Sequence, residues 1–464
     1  MKDGQGGGSH DESGTYTPLQ PQSAERSGAR INTIQEALDS LVDGGVQLAT
    51  ESDVVAGVQP YVVAAPGSEQ EVASVLAYAN REGLKVLVRG GGTQLNTGLP
   101  PRDGDILLNT ARLKQVVEYA PHDMTVTVQA GLRLADLQAH LARARQWLAL
   151  DPVLSRGATI GGIISTNVSG ARRLRYGGVR DQIIGIRVVL PDGTIAKGGG
   201  KVVKNVAGYD LPKLFTGALG TLGVIVAATF RLYPLRAASR TVVLTASTPA
   251  PLCELAVRVI ASTLEPTVLD IMNLRTGGLY VMTARFEMEP ESADEQAATL
   301  VEMARAEASS RPYYSDVQTM QGEPEARLWR QVAVDYPLTS DAMNTLIVKA
   351  SVLPTELASW LQSLEHTAQQ TGLTISWRAH AGHGLVFARL TGDEAALATA
   401  VDQLRSAAAA GQGSLVVIDA PPALASKVDI WGSLPAQTLE VMRRLKVRFD
   451  PNYILNPGRF VGGI

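Results

Sequence analysis

A run of three glycines, residues 90–92, directly follows a short apolar stretch, residues 86–88, that has the composition of a buried strand. Glycine accepts positive φ angles without a Cβ clash, so consecutive glycines can turn their amides toward a common point. Such a nest binds an anion, most often a phosphate, and Thr93 and Gln94 add a hydroxyl and an amide beside it. The alternative is a tight glycine turn between two elements, and this motif alone does not decide between the two.

Two further loops rich in small and hydroxylic residues follow along the chain. Residues 158–176 contain three glycines, two serines and two threonines, and residues 217–225 read GALGTLGVI. Each of the three loops lies next to a β-branched run, as expected for loops that join strands to other elements. One extended, phosphate-bearing cofactor that is contacted from several sides would require loops of this kind.

The order and content of these loops resemble the flavin-binding domain of the vanillyl-alcohol-oxidase/PCMH family of FAD-linked oxidases. The similar segments read RGGGTQL, ATIGG with STN and RYG, VLPDGTI, and KNVAGYDLPKLFTGALGTLGVI. The closing segment RFDPNYILNPGRF, residues 448–460, resembles the D-2-hydroxyacid dehydrogenase and glycolate oxidase branch of that family. The resemblance implies an α+β fold, with a PCMH-type FAD-binding domain of two α/β subdomains and a second, ferredoxin-like α+β cap domain.

The resemblance also implies FAD as the cofactor. It assigns the first loop to the pyrophosphate, the second to the flavin and ribityl chain, and the third to the adenine half. The residues that match are Arg89, Gly90, Gly91, Gly92, Thr93, Gln94, Leu95, Thr159, Ile160, Gly161, Gly162, Thr166, Asn167, Ser169, Gly170, Tyr176, Gly220, Thr221, Gly223, Val224 and Ile225. For Tyr176 the alternative is a surface turn held by an Arg–Asp pair. The layout is not that of a Rossmann domain, because no GxGxxG opens a helix.

The attachment of FAD is expected to be non-covalent. Members of the family often tether FAD through a histidine near the first loop. Gln94 and Leu95 occupy that neighbourhood here, and no histidine lies between His10 and His122.

The candidate catalytic histidines lie in RAHAGHGLVF, residues 378–387. In catalytic 2-hydroxyacid dehydrogenases of this branch the similar element reads HAGDGNLH, and its two histidines bind a divalent metal together with a downstream Glu. Here His380 matches the first histidine, His383 stands at the acidic position, and Phe387 replaces the second histidine. No EHG triplet follows, so we expect no metal site. His380 and His383 are either candidate bases for a hydroxyl proton or a pair of hydrogen-bonding residues on a strand–turn–strand.

A candidate substrate-binding residue precedes these histidines. Lys349 in IVKASVLP resembles the lysine of a K-x-x-S-x-P element that helps to bind the substrate carboxylate. The alternative is a lysine at a strand end that faces solvent. Arg330, in the segment LWR, is out of register with the arginine partner that the family places nearby.

A chain that keeps the flavin loops and lacks the metal ligands is similar to the small FAD-binding subunit of glycolate oxidase, the E-type subunit. This similarity implies an FAD-dependent oxidoreductase acting on CH–OH groups, as a subunit that takes part in electron transfer from a small 2-hydroxy acid. The expected partners are a paralogous catalytic flavin subunit and an iron–sulfur subunit. Two alternatives stay open: a stand-alone FAD-dependent D-2-hydroxyacid dehydrogenase, and a non-catalytic scaffold with the flavin fold.

The composition is that of an ordinary globular protein. The 464 residues are 45% hydrophobic and carry a formal net charge of −3, which gives no reason to expect nucleic acid or an anionic membrane as a partner. The only cysteine is Cys253, so the chain cannot form an internal disulfide or ligate an iron–sulfur cluster by itself. No run approaches the roughly 18 apolar residues of a membrane span, and no signal-peptide layout opens the chain. We therefore expect a cytoplasmic protein.

Periodicity and composition divide the chain into four parts. We expect a disordered tail over residues 1–30, the FAD-binding domain over 31–236, the cap domain over 237–437, and a C-terminal segment, 438–464, that packs back on the FAD-binding domain. In the cap, strands and helices alternate roughly as β-α-β-β-α-β twice, which predicts a split βαβ sheet with helices on one face.

Overall fold

The computed structural model describes residues 28–153, 157–200, 208–273, 278–308, 314–334, 344–420, 422–425 and 427–464. The expected tail therefore lies outside the described residues, except for residues 28–30, which begin the first helix. In the described ranges, no helix is both long and apolar enough to cross a membrane.

The first sheet contains strands from within the first 110 residues. Its strand order is β1-β2-β4-β3, with β4 parallel to both β2 and β3. The elements are α1 (Gly28–Asp39), β1 (Val46–Leu48), β2 (Val62–Ala64), α2 (Glu69–Glu82), β3 (Val86–Arg89) and β4 (Ile106–Asn109). Helix α2 begins where the Ser68 side chain accepts a hydrogen bond from Glu71 N, and it ends at Gly83 in the left-handed conformation, as the sequence predicts. Its buried face packs on the sheet.

The second sheet is antiparallel and has the order β5-β6-β10-β8-β9. Strands β7 and β11 pair separately. The elements are β5 (Val116–Ala120), β6 (Thr125–Gln129), α3 (Leu134–Ala142), β7 (Gln146–Trp147), α4 (Ile160–Thr166), α5 (Arg173–Tyr176), α6 (Val179–Gln182), β8 (Ile183–Val189), β9 (Ile195–Gly199), α7 (Leu211–Phe215), β10 (Val224–Arg231) and β11 (Tyr233–Pro234). Short helix α4 lies against β6 and β10, which places the second glycine-rich loop beside this sheet.

The cap is built on one large antiparallel sheet of order β15-β12-β14-β13-β17-β18-β16-β19 in the described residues. Its elements are β12 (Ala238–Ala246), α8 (Ala250–Ala261), β13 (Val268–Asn273), β14 (Tyr280–Met288), α9 (Pro290–Ala308), β15 (Tyr314–Met320), α10 (Gly322–Val334), β16 (Thr345–Ser351), α11 (Leu357–Thr371), β17 (Thr374–His380), β18 (Leu385–Thr391), α12 (Glu394–Ala410), β19 (Ser414–Asp419) and α13 (Pro422–Ala425). Apart from α10 and α13, this is the β-α-β-β-α-β order twice, and that prediction is confirmed.

The two halves of the cap sheet join through β13 and β17, where Asp270 lies opposite His380. Alternation along the strands divides the sheet into two faces. The apolar face, which includes Leu269, Ile271 and Ala379, packs under the helices in one core. The opposite face carries Asp270, His380 and the other polar residues of these strands, so the cap presents a polar face away from its helices.

The chain ends with α14 (Ala436–Phe449) and an irregular segment. This segment runs beside β3: Val86 N donates to Ile454 O over 2.8 Å, and Asn456 N donates to Val86 O over 2.9 Å. The C-terminal residues therefore lie next to the strand that leads into the first glycine run. The domain boundaries at residues 236 and 437 stay a prediction.

Candidate active site

A cavity lies where the end of β3, helix α4 and the C-terminal segment meet. Its lining includes the first glycine run, hydroxyl-bearing residues in and just before α4, and two polar residues of the C-terminal segment. The lining residues are Val88, Gly90, Gly91, Gly92, Thr93, Gln94, Leu95, Ala158, Thr159, Gly162, Ile163, Ser165, Thr166, Val168, Leu219, Asn456 and Arg459.

The glycines of the first run are required by close packing against the second loop. A Cβ on Gly90 would lie 2.3 Å from Thr159 Oγ1, and a Cβ on Gly91 would lie 1.9 Å from the carbonyl oxygen of Gly157. Gly91 N also donates to Thr159 Oγ1 over 3.2 Å. The two loops can approach this closely only because residues 90 and 91 have no side chain.

The third loop is held on the same wall by backbone hydrogen bonds. Gly217 N donates to Ile164 O and Leu219 N to Ser165 O, each over 2.9 Å. Asn456 then joins this loop to β3, because its Nδ2 donates to Leu219 O over 2.8 Å and its Oδ1 accepts from Val88 N over 3.1 Å. All three glycine-rich loops thus meet around one cavity.

Nine of the residues predicted to bind the cofactor line this cavity: Gly90, Gly91, Gly92, Thr93, Gln94, Leu95, Thr159, Gly162 and Thr166. The others lie behind the lining. Arg89 turns away and forms a 2.8 Å ion pair with Asp53. Asn167 ends α4 with a positive φ of 51°. The remaining members of this group are Ile160, Gly161, Ser169, Gly170, Tyr176, Gly220, Thr221, Gly223, Val224 and Ile225.

Tyr176 belongs to a buried aromatic cluster. Its ring centroid lies 5.2 Å from that of Trp147 and 4.8 Å from that of Tyr233, both with edge-to-face geometry. The structure therefore gives Tyr176 a packing role and does not place it at a surface turn.

Two C-terminal residues of the lining, Asn456 and Arg459, were not predicted as cofactor residues. Burial lowers the pKa of Arg459 to about 10. Its Nη2 donates to Leu95 O and to Thr97 O, the latter over 2.9 Å, whereas its Nε has no partner among the described residues. The segment NPGRF that contains both residues was the available signal, because it resembles the family's closing segment.

The donor set of this cavity suits FAD. Backbone N–H groups and a guanidinium compensate a diphosphate, and hydroxyl groups match ribityl oxygens. The unpartnered Nε of Arg459 leaves one buried donor for a ligand oxygen.

The polar face of the cap contains a fully buried acid, Asp270. Arg378 donates to its Oδ2 through Nε, over 2.8 Å, and through Nη2, while His380 Nδ1 donates to its Oδ1 over 2.7 Å. Burial alone would raise the pKa of Asp270, but the charges of Arg378 and His380 outweigh it and lower the pKa to about 2. Asp270 is therefore an ionised anchor that orients both side chains.

The other two candidate catalytic residues share this face. Lys349 lies opposite Phe387 in the pairing of β16 with β18, and the Phe387 ring lies 5.8 Å from the His380 ring. The His383 ring lies 5.5 Å from the His380 ring. Burial lowers the pKa of Lys349, and the charge of Arg173 lowers it further. Lys349 is half-buried, which argues against a lysine that faces solvent, and the structure places Lys349, His380 and His383 on the same side of the sheet.

Loop and helix contacts join this polar face to the FAD cavity. Val153, from the FAD-binding side, packs with Ile347 and Phe387 of the cap. Thr97 Oγ1, two residues beyond the cavity lining, donates to Ile418 O over 3.5 Å. On the other flank, the side chain of Leu174 in α5 contacts the β17–β18 turn at Gly382. A substrate held on the polar face would therefore lie next to the cofactor cavity.

The residues on this face do not fit the divalent metal that the family resemblance implies. In the described part of the chain, no group of three or more His, Cys, Asp or Glu side chains has a metal-binding arrangement. The position of the second family histidine is occupied by Phe387, and His380 Nδ1 is engaged by Asp270. Arg330 does not join the site either, because it lies on α10, is 64% exposed and pairs with Glu323 over 2.6 Å.

Comparison with known proteins agrees with this arrangement. Family models match residues 60–199 as an FAD binding domain, and residues 235–416 and 432–460 as the C-terminal domain of FAD linked oxidases. The glycolate oxidase subunit GlcD of Bacillus subtilis is 30% identical over 424 residues, covering 86% of this chain and 88% of that protein. The D-lactate dehydrogenase of Archaeoglobus fulgidus is 31% identical over 421 residues, covering 86% and 91%.

Among solved structures, p-cresol methylhydroxylase with substrate bound aligns over 93% of this chain and 97% of its own, with a TM-score of 0.72 and 13% identity. At that identity the match shows a common fold. The chain belongs to the FAD-linked oxidase family, the vanillyl-alcohol-oxidase/PCMH family that its motifs indicate. It is an FAD-dependent oxidoreductase with FAD as its cofactor, and the predicted α+β fold with a PCMH-type domain and a cap is confirmed.

The close contact at Gly91 yields a prediction about cofactor loading. We expect Gly91→Ala to weaken FAD binding at least about tenfold, because its Cβ would push the first loop away from Gly157 and distort the amide nest. The measurement is FAD retention and affinity by visible absorbance and fluorescence. Gly28→Ala is the control, since a Cβ there meets no atom within 4 Å. Equal FAD affinity in both variants would contradict the role of the nest.

Proposed function

We propose that this chain binds FAD non-covalently and oxidises the CH–OH group of a small 2-hydroxy acid as one subunit of a multi-subunit oxidase or dehydrogenase. The observation that carries the proposal is the position of Lys349, His380 and His383 on a buried polar face that adjoins the cavity. The names of the relatives support the substrate class, since one is a glycolate oxidase subunit and another a D-lactate dehydrogenase.

The cofactor would be held by the chain's own donors. The amides of residues 90, 92 and 93 and Arg459 would compensate the diphosphate, whereas the Gly91 amide donates to Thr159. Thr159, Ser165 and Thr166 offer hydroxyl groups along the cavity wall. When bound, FAD supplies the two-electron acceptor for this oxidation. Among the described residues, those that line the cavity include no histidine or cysteine, so a covalent attachment through such side chains is not part of the proposal.

The substrate would be held by charge and oriented by the cap. Lys349 provides a half-buried ammonium group for the carboxylate, and among the described residues only Arg173 shifts its pKa by charge. Asp270 fixes the His380 ring through Nδ1. The polar face thus offers a cation for the acid group beside imidazole groups that can take the hydroxyl proton.

The proposal that this chain is a subunit concerns the step after substrate oxidation, in which the electrons pass to an acceptor. The single cysteine of this chain cannot ligate an iron–sulfur cluster, and the relative from Bacillus subtilis is itself named as a subunit. We therefore propose a paralogous catalytic flavin subunit and an iron–sulfur subunit as partners. Similarity to the small E-type subunit and a cytoplasmic location remain parts of this proposal.

An anaerobic absorbance experiment tests the proposed function. We expect the purified full chain with FAD to be yellow, and its flavin absorbance to bleach on addition of glycolate, D-lactate or another small 2-hydroxy acid. L-lactate and acetate serve as comparison ligands. A yellow protein that none of a panel of 2-hydroxy acids bleaches would overturn the proposed oxidation, while a colourless protein that FAD does not stabilise would favour an empty scaffold.

A multiple-turnover assay distinguishes between a subunit and a stand-alone dehydrogenase. The second candidate is favoured by one observation: the chain carries its own Lys349 and His383 beside the cavity. If the isolated chain sustains full turnover with a small artificial electron acceptor, the stand-alone dehydrogenase is correct. Turnover that needs added partner subunits supports the complex.

A further inference from the structure

The imidazole of His383 has one nitrogen engaged and the other unpartnered. Nδ1 lies 3.2 Å from the carbonyl oxygen of His380, and Nε2 is buried with no hydrogen-bond partner among the described residues. A carbonyl oxygen only accepts, so Nδ1 carries the hydrogen and donates it. In the neutral ring this leaves a lone pair on Nε2, which is a proton acceptor without a protein donor.

The groups around His383 favour that neutral form. His380 and Arg173 face it as the nearby basic groups, and Asp270 faces it as the nearby acid. Burial, together with the charges of His380 and Arg173, lowers the pKa of His383 to about 4, and Asp270 opposes this shift. Near neutral pH the ring is therefore uncharged and able to accept a proton.

Two cations lie on the same side of the site. Arg173 begins α5, and the next residue, Leu174, contacts the β17–β18 turn at Gly382. Arg173 acts electrostatically on both Lys349 and His383. Arg173 is exposed, and the contact of its neighbour Leu174 with the β17–β18 turn places it at the edge of this face, where a cation can receive an anion.

We propose that His383 Nε2 accepts the hydroxyl proton of the substrate, and that Arg173 joins Lys349 in binding the substrate carboxylate. This proposal rests on the proposed function and names the residues that perform it. His380 is assigned a positioning role, because its carbonyl holds His383 Nδ1 and its own ring is held by Asp270.

The proposed step balances with FAD as the acceptor. The substrate O–H bond breaks and its proton moves to His383 Nε2. The C2–H bond breaks and its hydrogen leaves with both electrons to the bound FAD. A C=O bond forms at C2, so a 2-hydroxy acid becomes a 2-oxo acid. The imidazolium of His383 later returns its proton to water.

The test compares His383→Gln with His366→Gln in the full chain loaded with FAD. His366 is a suitable control because it is exposed on α11 and contacts Gln370. We expect His383→Gln to slow anaerobic flavin reduction about 100-fold or more, while the affinity for a 2-oxo acid such as pyruvate or glyoxylate, read from flavin absorbance, changes less than about threefold. His366→Gln should leave both unchanged.

The carboxylate role of Arg173 has a separate readout. We expect Arg173→Gln to weaken binding of the same 2-oxo acids about tenfold or more, as measured without turnover. Arg258→Gln, on α8 on the other side of the cap sheet, is the control. Unchanged 2-oxo acid binding in Arg173→Gln would overturn this part of the proposal.

The outcomes distinguish this inference from the proposed function. If the wild-type protein is bleached and His383→Gln is bleached equally fast, His383 is not the acceptor and the proposed function stands. If no 2-hydroxy acid bleaches the wild type, both fail. Should His383→Gln fail to fold, ¹⁵N spectra of wild-type histidines decide: a hydrogen on Nε2 of neutral His383 would overturn the assignment.

Discussion

Replacing Lys446 by methionine is expected to lower the free energy of unfolding by about 3–5 kcal/mol and to release FAD from the folded protein. Lys446 is 0% exposed, and its Nζ lies 2.6 Å from Oδ2 of the equally buried Asp450. Methionine fills a similar volume but leaves the Asp450 carboxylate buried without its counter-charge. Removing one partner of a buried pair costs far more than the intact pair contributes.

The effect should reach the cofactor because this pair organises the cavity wall. Nζ of Lys446 also donates to Thr221 O over 2.8 Å and to Leu455 O over 3.0 Å, so all three N–H groups are used. Asp450 accepts from the amides of Ile454 and Leu455. The third loop and the C-terminal segment are thus fastened to α14 just before Asn456 enters the cavity.

A matched control lies on the same helix. Arg444 pairs with Glu440 at the same i, i+4 spacing, but the Arg444 side chain is 78% exposed, so Arg444→Met should change stability by less than about 1 kcal/mol. Chemical denaturation and FAD release measure both variants. Similar losses in the two would contradict the argument, whereas partial recovery in Lys446→Met/Asp450→Leu would support it.

The sequence predicts much of the fold because local patterns dominate there. Helix α2 is bracketed by Ser68 and Gly83, and the helices and strands of the cap largely follow their apolar periods. Strands β13, β14 and β15 and helix α10 were not predicted individually. Strand β13 reads VLDIMN and contains Asp270. No local pattern shows that the charge of Asp270 is neutralised by residues about 110 positions away. Pairing between the two halves of the sheet is a tertiary property.

The candidate site also has one part that local patterns predict and another part that depends on tertiary contacts. The first glycine run lines the cavity, and Gly92 has a positive φ of 74°, which glycine permits, while the binding of a phosphate by its amides stays a prediction. Asn456 and Arg459 reach the cavity only after the C-terminal segment has aligned with β3, so the resemblance of NPGRF to the family's closing segment does not by itself place them there. Arg173 acts on Lys349 through the packing of α5 on the cap. Contacts between distant segments therefore account for what sequence reasoning missed.

Substituting Asp270 by asparagine is the second change with a large expected effect. We expect the free energy of unfolding at neutral pH to fall by about 3–5 kcal/mol, because Arg378 would lose the buried carboxylate with which it forms an ion pair. Asparagine preserves the size of the side chain, and its oxygen can still accept from His380 Nδ1. A loss of stability in this variant would therefore result from the missing negative charge and not from a cavity.

The pH dependence of the free energy of unfolding is the most specific test of this prediction. The pKa of Asp270 is lowered to about 2 in the folded protein, against about 3.9 for an unperturbed Asp. A lowered pKa stabilises the fold above the unfolded value, and this stabilisation is lost as pH falls from about 4 toward 2. The difference in stability between wild type and Asp270→Asn should therefore be constant above about pH 5 and shrink below pH 4.

A second aspartate, on helix α9 of the cap, provides the control. Asp294 also pairs with an arginine, Arg240, but its side chain is 61% exposed, so Asp294→Asn should cost less than about 1 kcal/mol. Urea unfolding of the three proteins between pH 7 and pH 3 measures both effects. If the stability difference for Asp270→Asn stays constant down to pH 3, the ionised Asp270 does not stabilise the fold through Arg378 and His380, and the anchoring of the His380 ring by charge is wrong.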